Sequence, residues 1–366
     1  GLLVPSPGRD ALWRGGRIHQ VSYGSITSMA TSGALPARLK LRMGLRYVPF
    51  LERHAGSLDL NEPARSAGAG LDDESIASWG HRQMGRDFVE LLAYPLLASY
   101  YGVLPEETSA GFFHALARAG MGVDVVAVRG GVGALPEAMA AGLADRGVEF
   151  RFGASVTGVS VTREAAVLEL AGERAEHEAV VVAVPPSAAA DLLPDATLPP
   201  VRVRPTASVL LAMEGRFSTG WFGLSIPRSE LQDSSLAAVC VQSEKAAGLG
   251  EAARDTVVLV PAPRRAESWA NGSPQEVLAD AMATLDRVLP GARDRVAEAR
   301  RVRLAGGVIP YPGYLGELAR WESGTLPSRL ALAGDYLVAP TVEGAVRSGV
   351  AAAERVSPPP SEARIP

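Results

Sequence analysis

Cysteine is almost missing from this 366-residue chain, with Cys240 alone. That excludes a disulfide framework and any cysteine-based zinc or iron–sulfur site. The five histidines, His19, His54, His81, His114 and His177, are scattered and give no paired spacing for a helical metal site. Lysine is nearly as rare, with only Lys40 and Lys245, although arginine is abundant. Positive charge is not in excess: the net charge is −4, so no nucleic-acid partner and no general attraction to anionic lipid is expected. No apolar run approaches the roughly 18 residues that mark a membrane-spanning helix, and no charged-then-apolar leader is visible. The expectation is a cytoplasmic protein without a transmembrane segment, with peripheral membrane contact and oligomeric state left open. What the chain does have is the balance of a globular protein, 47% hydrophobic and 21% charged. At roughly 100–200 residues per domain, its length points to two structural units.

The texture changes along the chain. A hairpin is predicted over residues 8–22, around Arg14-Gly15-Gly16-Arg17. Residues 36–124 read as helical, with Asp72-Asp73-Glu74-Ser75 as an acidic helix start. From Val123 the pattern turns to short apolar runs. Val123–Val128 reads as strand. The turn Gly130-Gly131-Val132-Gly133 leads into a helix expected over Ala138–Arg146, which Gly147 ends. Strands are expected at Val148–Phe152, Ser155–Val161 and Val167–Leu170. Ala179–Val184 is apolar on both faces and reads as a strand buried between layers. Further strands are expected at Ala207–Met213, Gly223–Pro227, Ala237–Val241, Val257–Pro261 and Arg301–Leu304, with a helix at Pro274–Leu289. Leu330–Leu332 is a strand running into Ala333-Gly334-Asp335, and Val342–Arg355 a helix rich in small residues. The proline-rich tail 357–366 is expected to be disordered.

The C-terminal block carries the clearest chemistry. A buried strand, a glycine turn bearing the carboxylate of Asp335 and a small-residue helix follow one another. Gly334 lets backbone approach a ligand closely. Asp335 suits hydroxyls and repels phosphate, so a polyol is its better partner. The helix start near Val342 offers free N–H groups and a positive dipole end to developing negative charge. Gly344, Ala345, Ser348 and Gly349 keep one helix face shallow enough for a flat ring. Elsewhere no Ser–His–Asp arrangement or carboxylate pair stands out. Glu106-Glu107 and Asp72-Asp73-Glu74 read as solvated helix ends, Cys240 as an inert buried thiol, and His81 and His114 as surface or packing residues.

This block, Leu332–Gly349, closely resembles the C-terminal flavin-binding signature of the FAD-dependent amine oxidase/protoporphyrinogen oxidase superfamily. Gly130–Met139, followed by Gly147-Val148 and Ala154–Val159, resembles that superfamily's middle region, and Val180–Pro186 resembles the strand beside the same cofactor half. The resemblance implies FAD as cofactor. It implies that Val156 contacts the adenine through its main chain and that Ala183, Val184 and Pro185 line that half. Gly334 and Asp335 would meet the ribityl chain, and Thr341, Val342, Glu343 and Ala345 the flavin pyrimidine edge.

Asp73–Trp79, Arg86–Pro95 and Tyr101–Ala110 look like the helical substrate region of protoporphyrinogen or coproporphyrinogen oxidases, and Trp13–His19 resembles the hairpin before it. The activity this implies is hydride transfer from a reduced tetrapyrrole to flavin N5, with oxygen or another acceptor restoring the flavin. Arg9 is the candidate partner for a substrate carboxylate. Thr341 and Val342 stand where amine oxidases carry a tyrosine, which argues against amine oxidation. Leu304–Tyr311 lacks the tryptophan that porphyrinogen oxidases often place there.

The expected fold is mixed α/β. It is a two-domain FAD/NAD(P)-binding, glutathione-reductase-like architecture lacking the N-terminal Rossmann βαβ unit, with a helical and antiparallel-sheet substrate domain. Only 14 residues precede Gly15, against roughly 30 for a βαβ unit, so the chain reads as a fragment that holds FAD weakly or not at all. The expected divisions are 1–124, the hairpin and helical part of the substrate domain; 125–195, the middle of the FAD-binding domain; 196–324, the substrate sheet and helix; 325–356, the C-terminal part of the FAD-binding domain; and the tail. The alternatives are another flavin amine oxidase, a carotenoid-desaturase-like dehydrogenase, or a truncated chain without activity.

Overall fold

A computed structural model describes residues 1–6, 9–246, 249, 254–321 and 325–357. The tail from 358 onward lies outside the described residues. The strands in chain order are β1 (Leu3–Pro5), β2 (Asp10–Arg14), β3 (Arg17–Val21), β4 (Val126–Val128), β5 (Val156–Val161), β6 (Ala166–Leu170), β7 (Glu173–His177), β8 (Val180–Val182), β9 (Val203–Glu214), β10 (Gly223–Ser225), β11 (Leu236–Val241), β12 (Arg254–Pro261), β13 (Val296–Val308) and β14 (Leu330–Leu332).

Seven of them form the main sheet, in the order β13-β9-β12-β11-β10-β2-β3. Every pairing in it is antiparallel except β2 with β10. The hairpin predicted around Gly15 is therefore an edge of this sheet. Gly15 and Gly16, at φ 57° and 72°, supply the two left-handed residues that a tight two-residue turn needs. In β9 the alternation is strict: Ala207, Val209, Leu211 and Met213 are buried, as expected when one face of a strand meets the core. Against them packs the helix Pro274–Val288, through Val277, Ala281, Met282 and Leu285. Its start is fixed by reciprocal bonds between Ser273 and Glu276.

The helical layer over residues 26–119 closes on a second core of Tyr47, Trp79, Phe88, Phe112, Phe113 and His114. Two of its segments, Met43–Tyr47 and Val89–Ala93, are wound as π-helix. His114 is fully buried among these rings, its Nδ1 sharing a hydrogen bond with the Tyr47 hydroxyl at 3.1 Å, and burial drives its pKa down to about 3. It is a packing residue. Cys240, expected to be buried, is half-buried, with desolvation pushing its thiol up to about 12.

Of the acidic runs read as solvated helix ends, Asp73 is exposed ahead of the helix Ile76–Gln83, but Asp72, Glu106 and Glu107 are tied into the fold. Glu107 grips Arg204 through two bonds of 2.7 and 2.6 Å. Arg228 reaches Glu90 and Glu106 together. Asp72 is buried, accepting from Ser109 Oγ at 2.5 Å and from the Gly316 N–H at 2.9 Å. These carboxylates bind the helical layer to the sheet region and to the helix Tyr314–Arg320.

The remaining strands make three small sheets. β5-β6-β7 is antiparallel, β8 runs parallel to β14, and β1 pairs antiparallel with β4. The helix placed at Ala138–Arg146 in fact spans Ala134–Ala144. Pro136 sits in its first turn, where no N–H donor is required, so it does not delay the start. Val148–Phe152 forms no strand: it has no ladder partner, and Phe152 is 87% exposed. Of Val123–Val128 only the last three residues pair. β7 escapes a reading by hydrophobicity because Glu173-Arg174-Ala175-Glu176-His177 is a polar edge strand. β8 is not buried on both faces, since Val181 is 38% exposed.

Candidate cofactor site

β8 and β14 are brought side by side from positions 150 residues apart, with Val181 opposite Ala331. The ladder is continued by Val180 N–H donating to the Arg329 carbonyl (2.8 Å) and Ala333 N–H donating to that of Val182 (3.0 Å). Because the strands are parallel, both chains leave the ladder at the same end. There β8 delivers Ala183, Val184 and Pro185, while β14 delivers Gly334 and Asp335. In open α/β sheets ligands bind outside the carboxyl ends of parallel strands.

The helix Val342–Val356 is tied beside the same ladder at its middle and at its C-terminal end. Ser348 Oγ accepts the Gly334 N–H at 2.9 Å, and Arg355 donates to the carbonyls of Leu330 (3.0 Å) and Leu326 (2.8 Å). Its N-terminus thereby lies toward the end of the strands where the turn residues emerge. Thr341 caps it, with Oγ1 accepting from the Gly344 N–H at 2.9 Å, and the Ala345 N–H goes to the Thr341 carbonyl. The amides of Val342 and Glu343 are left for solvent or a ligand. Gly344 is required by close packing: a Cβ there would stand 2.1 Å from the Ala339 carbonyl oxygen.

The turn itself is compact. A Cβ on Gly334 would meet the Tyr336 ring at 2.2 Å, and the Tyr336 carbonyl accepts from the Tyr314 hydroxyl at 3.0 Å. Burial holds the Asp335 carboxyl above the usual carboxylate range, against the opposing pull of its own backbone N–H and that of Tyr336.

The predicted site residues thus fall into three groups. Gly334, Asp335, Thr341, Val342, Glu343 and Ala345 form a continuous turn and helix start. Ala183, Val184 and Pro185 stand at the neighbouring strand end. Val156 opens β5, a strand that reaches this unit through Val159 and Val161, which pack with Val182, Leu330 and Leu332. Ala183, Pro185, Val342, Glu343 and Ala345 are exposed, and Gly334, Asp335 and Thr341 half-buried. Glu343 is paired with Arg347 across one helical turn at 2.7 Å. Arg9 lies apart from this group. Its carbonyl accepts from the Phe222 N–H at 2.7 Å, beside the β2–β10 pairing, and its side chain is exposed. Sequence reasoning missed Tyr336 and the tethers made by Ser348 and Arg355. Ser348 was readable as a small residue on the inner helix face, but its bond to Gly334 depends on the helix doubling back under the strand.

The arrangement suits a ligand that carries hydroxyl groups. It offers one carboxylate at the strand ends, free amides at a helix start and an exposed surface of small side chains. No group of three or more His, Cys, Asp or Glu side chains suited to a metal ion occurs among the described residues, and none of their helices is long and apolar enough to cross a membrane.

The family model described as flavin containing amine oxidoreductase matches residues 2–357. No match is found among curated proteins. Among solved structures, the chain is similar to a "Putative protoporphyrinogen oxidase" from Exiguobacterium sp. 255-15, at 18% identity and TM-score 0.66, covering 97% of this chain and 83% of that one. It is similar to cyclohexylamine oxidase from Brevibacterium oxydans IH-35A, at 17% identity, TM-score 0.68 and coverage of 97% and 82%. It also matches an oxidoreductase from Methanosarcina mazei, at 14% identity, TM-score 0.65 and coverage of 96% and 82%.

Proposed function

Because this chain belongs to the flavin-containing amine oxidoreductase family, whose cofactor is FAD, we propose that it oxidises a reduced tetrapyrrole of the porphyrinogen type, with the flavin bound at the β8–β14 strand ends. Asp335 accepts hydrogen bonds from the ribityl hydroxyls. The free amides of Val342 and Glu343, at the positive end of their helix, hold negative charge at the pyrimidine edge. Ala183, Val184 and Pro185 border the adenosine half, and the main chain of Val156 meets the adenine. When bound there, FAD supplies the acceptor for a hydride from a substrate carbon. Arg9 pairs with a substrate carboxylate. The protein's place of action in this reading is the cytoplasm.

The observation that supports this reading best is the convergence of Gly334-Asp335 and an uncapped pair of amides at one end of a parallel strand pair. The choice of substrate rests on the likeness of Asp73–Ala110 to porphyrinogen oxidases and on Thr341, which spends its side chain on the helix cap where an aromatic wall would serve an amine. Hydride loss from a porphyrinogen needs no strong protein base, and none stands in the wall. A second reading, oxidation of an apolar amine, is favoured by the similarity to cyclohexylamine oxidase.

The test is anaerobic mixing of the flavin-loaded protein with a porphyrinogen or with cyclohexylamine, followed by the loss of the yellow absorbance. Bleaching by the porphyrinogen alone is expected, with Arg9→Ala raising KM about tenfold and leaving kcat unchanged. Bleaching by the amine alone would overturn the substrate assignment. Failure of Asp335→Ala to weaken flavin retention would overturn the site.

A further inference from the structure

The helical layer contains a cavity of about 250 Å³ that shares no residue with the proposed flavin wall. Its lining includes Tyr23, Met29, Met43, Tyr47, Leu92 and Met121, and no charged side chain borders it. Three features set it apart from a packing defect. First, both π-helical segments face it: Met43 and Tyr47 come from one and Leu92 from the other. A π turn is less stable than the α turn it interrupts and occurs frequently at functional sites. Second, three of the chain's seven methionines stand in this one wall. Methionine is flexible and polarizable, which suits a surface that must adapt to a guest. Third, the tyrosines differ. The Tyr47 hydroxyl is engaged with His114, and the Tyr100 hydroxyl, also at this cavity, donates to Asp10 at 3.2 Å. The Tyr23 hydroxyl is buried and has no partner. A buried, unpaired hydroxyl is destabilising, and a ligand oxygen would relieve that cost.

We propose that this cavity binds a neutral, mostly apolar molecule carrying one hydroxyl or carbonyl oxygen, which pairs with Tyr23. The absence of charged groups excludes a polyanion such as a porphyrinogen with its carboxylates. At roughly 10–15 Å³ for each water-sized position, the space takes on the order of seventeen to twenty-five non-hydrogen atoms. The site stands whether or not the flavin reading holds, because none of the flavin-wall residues lines it.

The test uses methyl-labelled methionine and two probes that differ by one oxygen, 4-phenylphenol and biphenyl, followed by NMR at matched free concentrations. Each signal is assigned by a single Met→Leu exchange. Both probes are expected to shift the methyls of Met29, Met43 and Met121 and to leave those of Met139, Met213 and Met282 in place. Tyr23→Phe should weaken 4-phenylphenol about tenfold and biphenyl less than twofold, a difference that general damage to the fold would not produce. Ala117→Phe, which fills the cavity, should abolish both shifts while the far-ultraviolet circular dichroism is kept. The proposal is overturned if the three methyls do not move, if all seven move alike, if Tyr23→Phe weakens both probes equally, or if binding survives in a folded Ala117→Phe protein.

Discussion

At the scale of single residues, His114 has the most measurable consequence. Burial holds its imidazole neutral, with a pKa near 3, against about 6.5 in an unfolded chain. The unfolded state therefore takes up a proton between these values and the folded state does not. The stability tied to the neutral ring is complete above about pH 6.5 and is lost as pH falls toward 3, at up to about 1.4 kcal/mol per pH unit. His114→Phe keeps the aromatic packing and removes this proton. Urea midpoints recorded from pH 7 to pH 4 should fall more steeply for the natural chain than for the variant; parallel profiles would contradict the assignment. The sequence left His114 open between a surface and a packing position, and the structure places it in the core. That Asp72 is buried was not legible, because its partners Ser109 and Gly316 are 37 and 244 residues away, and a carboxylate reads as solvated until such donors are in view.

Among elements, the helix Val342–Val356 matters most. Its existence and extent were legible because small and apolar residues recur at helical spacing and Thr341 is a good cap. Its docking was legible only in part. Gly344 read as a shallow spot for a ring, whereas its inner side is pressed onto the Ala339 carbonyl. Gly344→Ala should therefore lift the N-terminal turn from the strand ends and cost about 3 kcal/mol, seen as a lower urea midpoint at unchanged slope. Flavin retention should fall with it. Val148–Phe152 shows the opposite error. Five residues with strand-like composition form no strand, because propensity acts only where a partner edge is available.

For the molecule as a whole, the charge pairs that cross between layers are the part the sequence concealed. Arg228 joins the sheet region to Glu90 and Glu106 of the helical layer and lies over the Tyr94 ring. All three side chains are at least partly exposed, so the Coulomb attraction is screened, but removing the cation leaves the largely buried Glu90 without its partner. Arg228→Ala is expected to cost about 2 kcal/mol, read as a shift in the chemical denaturation midpoint. A change below about 0.5 kcal/mol would show the two layers to be held by apolar packing alone. The two-layer plan itself was legible, because helical periodicity over residues 36–124 gives way to strand alternation after 200. The interleaving was not. β1 joins β4 across 120 residues, and the hairpin is an edge of a sheet whose other strands begin near residue 203.

The parallel pairing of β8 with β14 carries a consequence for biosynthesis. During translation the first of these strands leaves the ribosome with its edge open and must wait while some 150 further residues are made. The second strand, Leu330–Leu332, and the helix that clasps it, Val342–Val356, follow in sequence. The strand pair is therefore completed only after Leu330–Leu332 has been made, and its helix only after Val356. A nascent polypeptide that has not yet reached Leu330 has no β14 to pair with β8, so this ladder cannot guide the folding of the residues made before it.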